Sequence, residues 1–145
     1  MDPRLHFLTL ATPDLDAARS FYRDGLGWTP TIDVPGEILF FQVAPGLMLG
    51  LFDSAKFDED TGTPREMTGV SGVTLSHNVD SRAAVLQTID KMVDAGAILT
   101  KEPQDGAFGE IFHAQISDPN GVVWEIAHNP GWSIDERGIV TFGID

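Results

Sequence analysis

The feature that most constrains this chain is that one order of elements occurs twice. A strand over residues 5–11 is stopped by Thr12-Pro13-Asp14, and Asp14 is of the type that caps a helix. Leu15, Ala18, Phe21 and Tyr22 then recur at helical spacing, until Gly25 and Gly27 end the run. A short extended piece after Trp28 and the turn Val34-Pro35-Gly36-Glu37 lead to a hairpin of residues 38–43 and 47–52, folded about Ala44-Pro45-Gly46. The pattern restarts with a strand at 70–78 and a helix cap at Asp80. An apolar stripe of Val85, Ile89, Met92 and Val93 follows, closed by Gly96. Ile98-Leu99 is a short strand, residues through Pro103 and Gly106 a loop, and 110–129 a second hairpin.

Aligned on the helix caps, Asp14-Leu15-Asp16-Ala17-Ala18 lies over Asp80-Ser81-Arg82-Ala83-Ala84. Aligned on the hairpin turns, Val43-Ala44-Pro45-Gly46 lies over Asp118-Pro119-Asn120-Gly121. Each repeat is strand, helix, then three strands, a self-similarity that decides the fold before any residue has a role. One such unit covers a single face of its sheet with its helix. Two can join their sheets into a curved surface whose open face is a cleft. The expected class is therefore α+β, with two tandem βαβββ modules forming curved mixed sheets around a cleft. The first module spans 1–53 and the second 70–129. An acidic connector, with one helical turn at residues 54–57, occupies 54–69, and a C-terminal tail at 130–145 packs back on the domain. Trp28 and Trp132 are placed to close the cleft rim.

Nine basic residues against 22 acidic ones give a formal charge of −13. Nucleic acid and anionic membrane both need basic surface, so neither is expected as a partner. A cationic ligand is compatible with this charge, as is simple solubility. With no cysteine, disulfides, thiolate metal sites and cysteine nucleophiles are excluded. Met1-Asp2-Pro3-Arg4 does not begin a basic-then-apolar leader, and no run approaches the ~20 apolar residues of a membrane span. A cytoplasmic location is the expectation.

In the second hairpin Pro119 suits the second position of a type I turn, and Gly121 a position of positive φ. The strand that leaves it, Val122-Val123-Trp124-Glu125-Ile126-Ala127, carries one carboxylate in an apolar run, which is costly unless something pairs with it. If Asp118 lies opposite Val122, then Gln115 faces Glu125 and His113 faces Ala127. Period two then sets His113, Gln115, Val123, Glu125 and Ala127 on one face. The equivalent positions of the first repeat are Ile38, Phe40, Met48, Gly50 and Phe52, which with Phe7, Thr9, Thr74 and Ser76 make a cleft apolar on one side and polar on the other. Glu125 and His113 are the candidate catalytic pair, and Gln115, Phe7, Thr9, Phe40, Met48, Thr74 and Ser76 the candidate ligand contacts. Gln115 and His113 satisfying Glu125 by hydrogen bonds, with no ligand, is the plain structural alternative.

Asp14-Leu15 with Phe21-Tyr22 and Leu26-Gly27, and Asp118-Pro119-Asn120-Gly121 followed by Glu125, resemble the vicinal oxygen chelate superfamily of glyoxalases, bleomycin-resistance proteins and extradiol dioxygenases. The resemblance covers roughly residues 4 to 129. It implies four metal-ligand positions, one on each opening strand and one on each final strand. Carried over singly, they fall on Phe7, Gly50, Thr74 and Glu125, of which only Glu125 is a good ligand. No metal ligand set and no cofactor is expected on that count. His6, His77 and His128 have the wrong parity for the same face, although a bulge or one-residue slip would bring His6 in, so a divalent metal stays open.

Three functions follow in order. The first is a metal-independent protein of the bleomycin-resistance kind, binding or sequestering a small amphiphilic or cationic molecule. The second is a glyoxalase- or dioxygenase-type enzyme with a displaced metal on Glu125, His113 and one of His6 or His77. The third is a metal-free lyase or isomerase with Glu125 as general base beside His113. The resemblance also implies a homodimer.

Overall fold

A computed structural model of the chain describes residues 1, 3, 5–61, 73–106 and 110–142. The connector after Thr61 and the expected start of the second opening strand at 70–72 lie outside the described residues. The chain divides into two compact units, Met1–Val73 with Asp118–Val122, and Thr74–Ser117 with Val123–Asp145.

In the first unit β1 (Phe7–Thr12) runs parallel to β4 (Leu47–Asp53). β3 (Ile38–Ala44) and β2 (Ile32–Val34) follow antiparallel, for a sheet order of β1-β4-β3-β2. Alternation sends Leu10, Leu39, Phe41, Leu49 and Leu51 to one face, where all are buried. Helix α1 (Leu15–Arg19) covers that face, capped by Asp14, whose Oδ1 accepts from the Ala17 N–H at 2.8 Å. From Ser20 to Gly25 the helix widens to π geometry, and the Leu26 N–H reaches back five residues to the Phe21 carbonyl. Phe21 and Tyr22 are thereby driven into the core, where Tyr22 meets Phe41 at 5.8 Å between ring centroids. Trp28 completes this cluster, 5.2 Å from Tyr22 and 5.4 Å from Phe41, so it sits on the helix-covered face and not on a cleft rim. Helix α2 (Ser54–Thr61) is longer than the single turn expected. Its Phe57 meets Phe52 edge-on at 6.2 Å, over one end of the face that α1 leaves open.

The second unit repeats the order as β5-β8-β7-β6: β5 (Thr74–Asn78) parallel to β8 (Val123–His128), then β7 (Phe112–Ser117) and β6 (Ile98–Asp105) antiparallel. Helix α3 (Arg82–Asp94) lays Val85, Ile89 and Met92 on the face that buries Ala114, Ile116 and Ile126. Two expectations are corrected here, and the tail adds an element. Ser81 and not Asp80 caps α3, its Oγ accepting from the Ala84 N–H at 3.1 Å; two capping residue types stand side by side and the second wins. The loop through Pro103 is strand, because β6 is an edge strand and tolerates the missing N–H at an irregular step between Lys101 and Gln104. The tail contains a further hairpin, β9 (Trp132–Ile134) with β10 (Val140–Phe142). Among the described residues no helix is long and apolar enough to cross a membrane.

Two carboxylates of the first unit are held in opposite ways. Asp33 on β2 takes a fork from the buried Arg19, Nη2 at 2.7 Å and Nε at 3.0 Å, and this hydrogen bonding holds its carboxyl below the usual range. Asp118 is buried at the turn. Its Oδ1 accepts from the Asn120 and Val122 N–H groups at 2.8 Å, and its Oδ2 from the Tyr22 hydroxyl at 2.8 Å. Burial outweighs these donors and raises its carboxyl above the usual value. Asp33 therefore adds stability above its unfolded pKa, lost as the pH falls. Asp118 does the reverse: stability is fullest below its unfolded pKa and declines as the pH rises through its folded one. Tyr22→Phe removes a donor from a buried carboxylate and should lower stability by about 1–3 kcal/mol. Because the lost bond favours the charged form, the loss in urea unfolding should be larger at pH 7 than at pH 4. An equal loss at both would contradict this account.

Candidate functional site

The face of the second sheet turned away from α3 is polar. The hairpin closes in the register that the turn chemistry implies, with Ser117 opposite Val123, Gln115 opposite Glu125 and His113 opposite Ala127, while Ser76 lies beside Glu125 on the other side. Directly paired residues share a face, so Thr74, Ser76, His113, Gln115 and Glu125 stand together. His113 Nδ1 lies 3.0 Å from Glu125 Oε2, and the Ser76 hydroxyl donates to Glu125 Oε1 at 3.3 Å. With Nδ1–H given to the carboxylate, Nε2 is the free acceptor, and the Lys101 ammonium lies 3.4 Å from it. The result is a row Ser76–Glu125–His113–Lys101 that crosses all four strands from β5 to β6. His113 keeps 15% of its side chain exposed and Glu125 30%, enough for a small molecule to reach them. Gln115 is half-buried, and among the described residues its amide has no hydrogen-bond partner. Thr74 begins β5, exposed, opposite Val123.

Lys101 was not foreseen from the sequence. Leu99 and Lys101 differ by two and in a regular strand would share a face. The register instead shifts between them, pairing Leu99 with Ile116 on the helix side and Lys101 with Gln115 on the open side. No sequence signal marks that bulge. His77 pairs with Ile126 and so lies on the face away from Glu125, and His128 Nδ1 lies 3.2 Å from the Val79 carbonyl.

The first unit has the same register with different contents. Thr9 lies beside Gly50 as Ser76 lies beside Glu125, and Phe40 opposite Gly50 as Gln115 lies opposite Glu125. Phe7, Thr9, Phe40 and Met48 share the open face, with Phe7 and Phe40 edge-to-face at 5.2 Å. The Phe40 ring lies over Gly50: a Cβ added there would come within 3.1 Å of Phe40 Cε1 and 3.2 Å of Thr9 Oγ1. His6 precedes β1 and is exposed.

This chemistry does not suit the metal ion that the resemblance implies. Of its four positions Phe7 is a ring, Thr74 a neutral hydroxyl, and Gly50 has no side chain, with the Phe40 ring crowding the place of a Cβ. Glu125 alone is an anionic donor, and its oxygens are engaged by Ser76 and His113. Among the described residues no three His, Asp or Glu side chains are grouped to hold an ion.

The sequence matches the glyoxalase/bleomycin resistance protein/dioxygenase superfamily over residues 4–126. A crystal structure of a glyoxalase-related enzyme from Fulvimarina pelagi is similar with 32% identity and a TM-score of 0.87, covering 98% of this chain and 99% of that one. A glyoxalase/bleomycin resistance protein/dioxygenase from Nocardioides has 27% identity and a TM-score of 0.73, covering 90% and 87%. Lactoylglutathione lyase from Agrobacterium tumefaciens shares the fold at 23% identity and a TM-score of 0.66, covering 87% and 93%. No curated protein matches the chain significantly.

The crowding at Gly50 is directly testable. Gly50→Glu must push the Phe40 ring off its seat and should destabilise the protein by about 1–3 kcal/mol, an overpacking cost. Denaturant unfolding with and without Ni²⁺ or Zn²⁺ should show that loss and no recovery with the ion. A variant as stable as the parent would mean that the ring swings aside freely.

Proposed function

This chain belongs to the glyoxalase/bleomycin resistance protein/dioxygenase superfamily, and from that premise we propose that it binds a small amphiphilic or cationic molecule without the metal ion. The proposed site is the open face of the β5-β8-β7-β6 sheet. The observation that carries this reading is the row Ser76–Glu125–His113–Lys101 with Gln115 beside it. The half-buried Gln115 amide makes no hydrogen bond among the described residues and is open to the solvent side, where a ligand can take it up. Apolar Val123 and Ala127 share the face and suit the non-polar part of such a molecule. The reading carries with it a homodimer in the cytoplasm.

A second reading rests on the 3.0 Å contact of His113 Nδ1 with Glu125, which orients the imidazole as a carboxylate orients the histidine of an acid–base pair. A metal-free lyase or isomerase would use this pair to move a proton at a carbon next to a carbonyl.

The two readings separate by experiment. A panel of cationic glycopeptides, aromatic amines and aromatic acids should include members that raise the melting temperature of the parent. Glu125→Gln should cut the affinity of the cationic members by about 10-fold or more, the worth of one charge-assisted hydrogen bond, and His113→Asn should weaken every member that binds on this face. Turnover of a hemithioacetal or catechol, with no member of the panel stabilising the fold, would overturn the binding reading.

A further inference from the structure

Lys101 is the anomaly of the row. The chain has 22 acidic residues against nine basic ones, and five of its described cations meet carboxylates. Arg19 pairs with Asp16 and Asp33, Arg23 with Asp24 and Asp33, Lys56 with Glu37, Arg82 with Asp105, and Arg137 with Asp135. Lys101 meets none among the described residues. Its ammonium reaches His113 Nε2 at 3.4 Å, on a half-buried stretch of sheet. The bulge between Leu99 and Lys101 is what turns it to this face.

We infer that Lys101 receives the carboxylate of a small organic acid, with the Gln115 amide as second donor; this rests on the reading that this face is the ligand site. Lys101 and Gln115 are direct cross-strand partners, whose Cβ atoms lie about 5 Å apart in such ladders, so one carboxylate spans both donors. Among the described residues the ammonium meets no carboxylate and the amide N–H no acceptor, so both donors are available to a ligand carboxylate. One ammonium balances one negative charge, which favours a monocarboxylate over a phosphate dianion. A cationic ligand head, by contrast, would have to approach Lys101 and compete with Ser76 and His113 for Glu125, whose two oxygens already accept from them. The acidic surface suits a cation; the row itself is built for an acid.

The test uses the full chain, isotope-labelled, titrated with three matched series: benzoate and phenylacetate, their primary amides, and benzylamine and phenethylamine. Carboxylates should shift the Gln115 side-chain amide and His113 ring signals, bind more tightly than the amides, and weaken as salt is raised. Lys101→Met should lower carboxylate affinity by about 10- to 100-fold, leave amide affinity unchanged, and abolish the salt dependence. Lys101→Arg should keep the preference for acids and shows that a lost charge, not a lost fold, is read. If amines bind best at these signals, or Lys101→Met binds carboxylates as the parent does, the ligand class is wrong while the site stands. If no series moves the Gln115 or His113 signals, the site itself is wrong and the inference falls with it.

Discussion

The Asp118 carboxylate is the constraint on which the second sheet depends. One of its oxygens takes the Asn120 and Val122 N–H groups and closes the turn, while the other takes the Tyr22 hydroxyl. Asn120 adds a two-way link to the backbone of Asp14, accepting from its N–H at 2.7 Å and donating to its carbonyl at 2.8 Å. A turn closed at Asp118 and Val122 leaves one register for β7 and β8, and a slip by one residue would send Glu125 and His113 to opposite faces. The turn's hydrogen bonds thus decide, several residues away, that imidazole and carboxylate meet. Keeping that carboxylate dry costs stability near neutral pH, which Arg19 and Asp33 offset elsewhere in the first unit.

Two sheets with one register illustrate how far a backbone dictates chemistry. Position for position, Thr9 answers Ser76, Gly50 answers Glu125, Phe40 answers Gln115 and Ile38 answers His113. One face became a ring cluster and the other a hydrogen-bonded row, with no change in strand order. The scaffold supplies places; the side chains supply the distinction between an apolar floor and a polar one.

Much of this was legible in the sequence, because it rests on local chemistry. Asp14 as cap, Asp118-Pro119-Asn120-Gly121 as turn, and the period-two pattern of the hairpin all act over a few residues, and the cross-strand pairs of Glu125 follow from them. Lys101 was not legible, since its facing depends on a bulge, and parity counted from Leu99 puts it on the wrong side. Pro103 read as a loop because the residue alone does not reveal that β6 is an edge. Trp28 is not on a rim because the widened π turn draws the Tyr22 ring to it and seats both against Phe41, which no local sequence signal announces. The β9–β10 hairpin has too few residues and too mixed a pattern to announce itself.

The ring over Gly50 has a consequence for how such a protein can change over time. Phe40 must give way before a Cβ fits at position 50, so the two sites are not independent letters. A carboxylate at 50 is blocked while the ring stays, and a smaller residue at 40 leaves a void over a bare glycine until something grows into it. Either route to a carboxylate at position 50 passes through a less stable intermediate. The duplicated architecture keeps both addresses, but the mail at one of them can be changed only in two steps, in an order that stability permits.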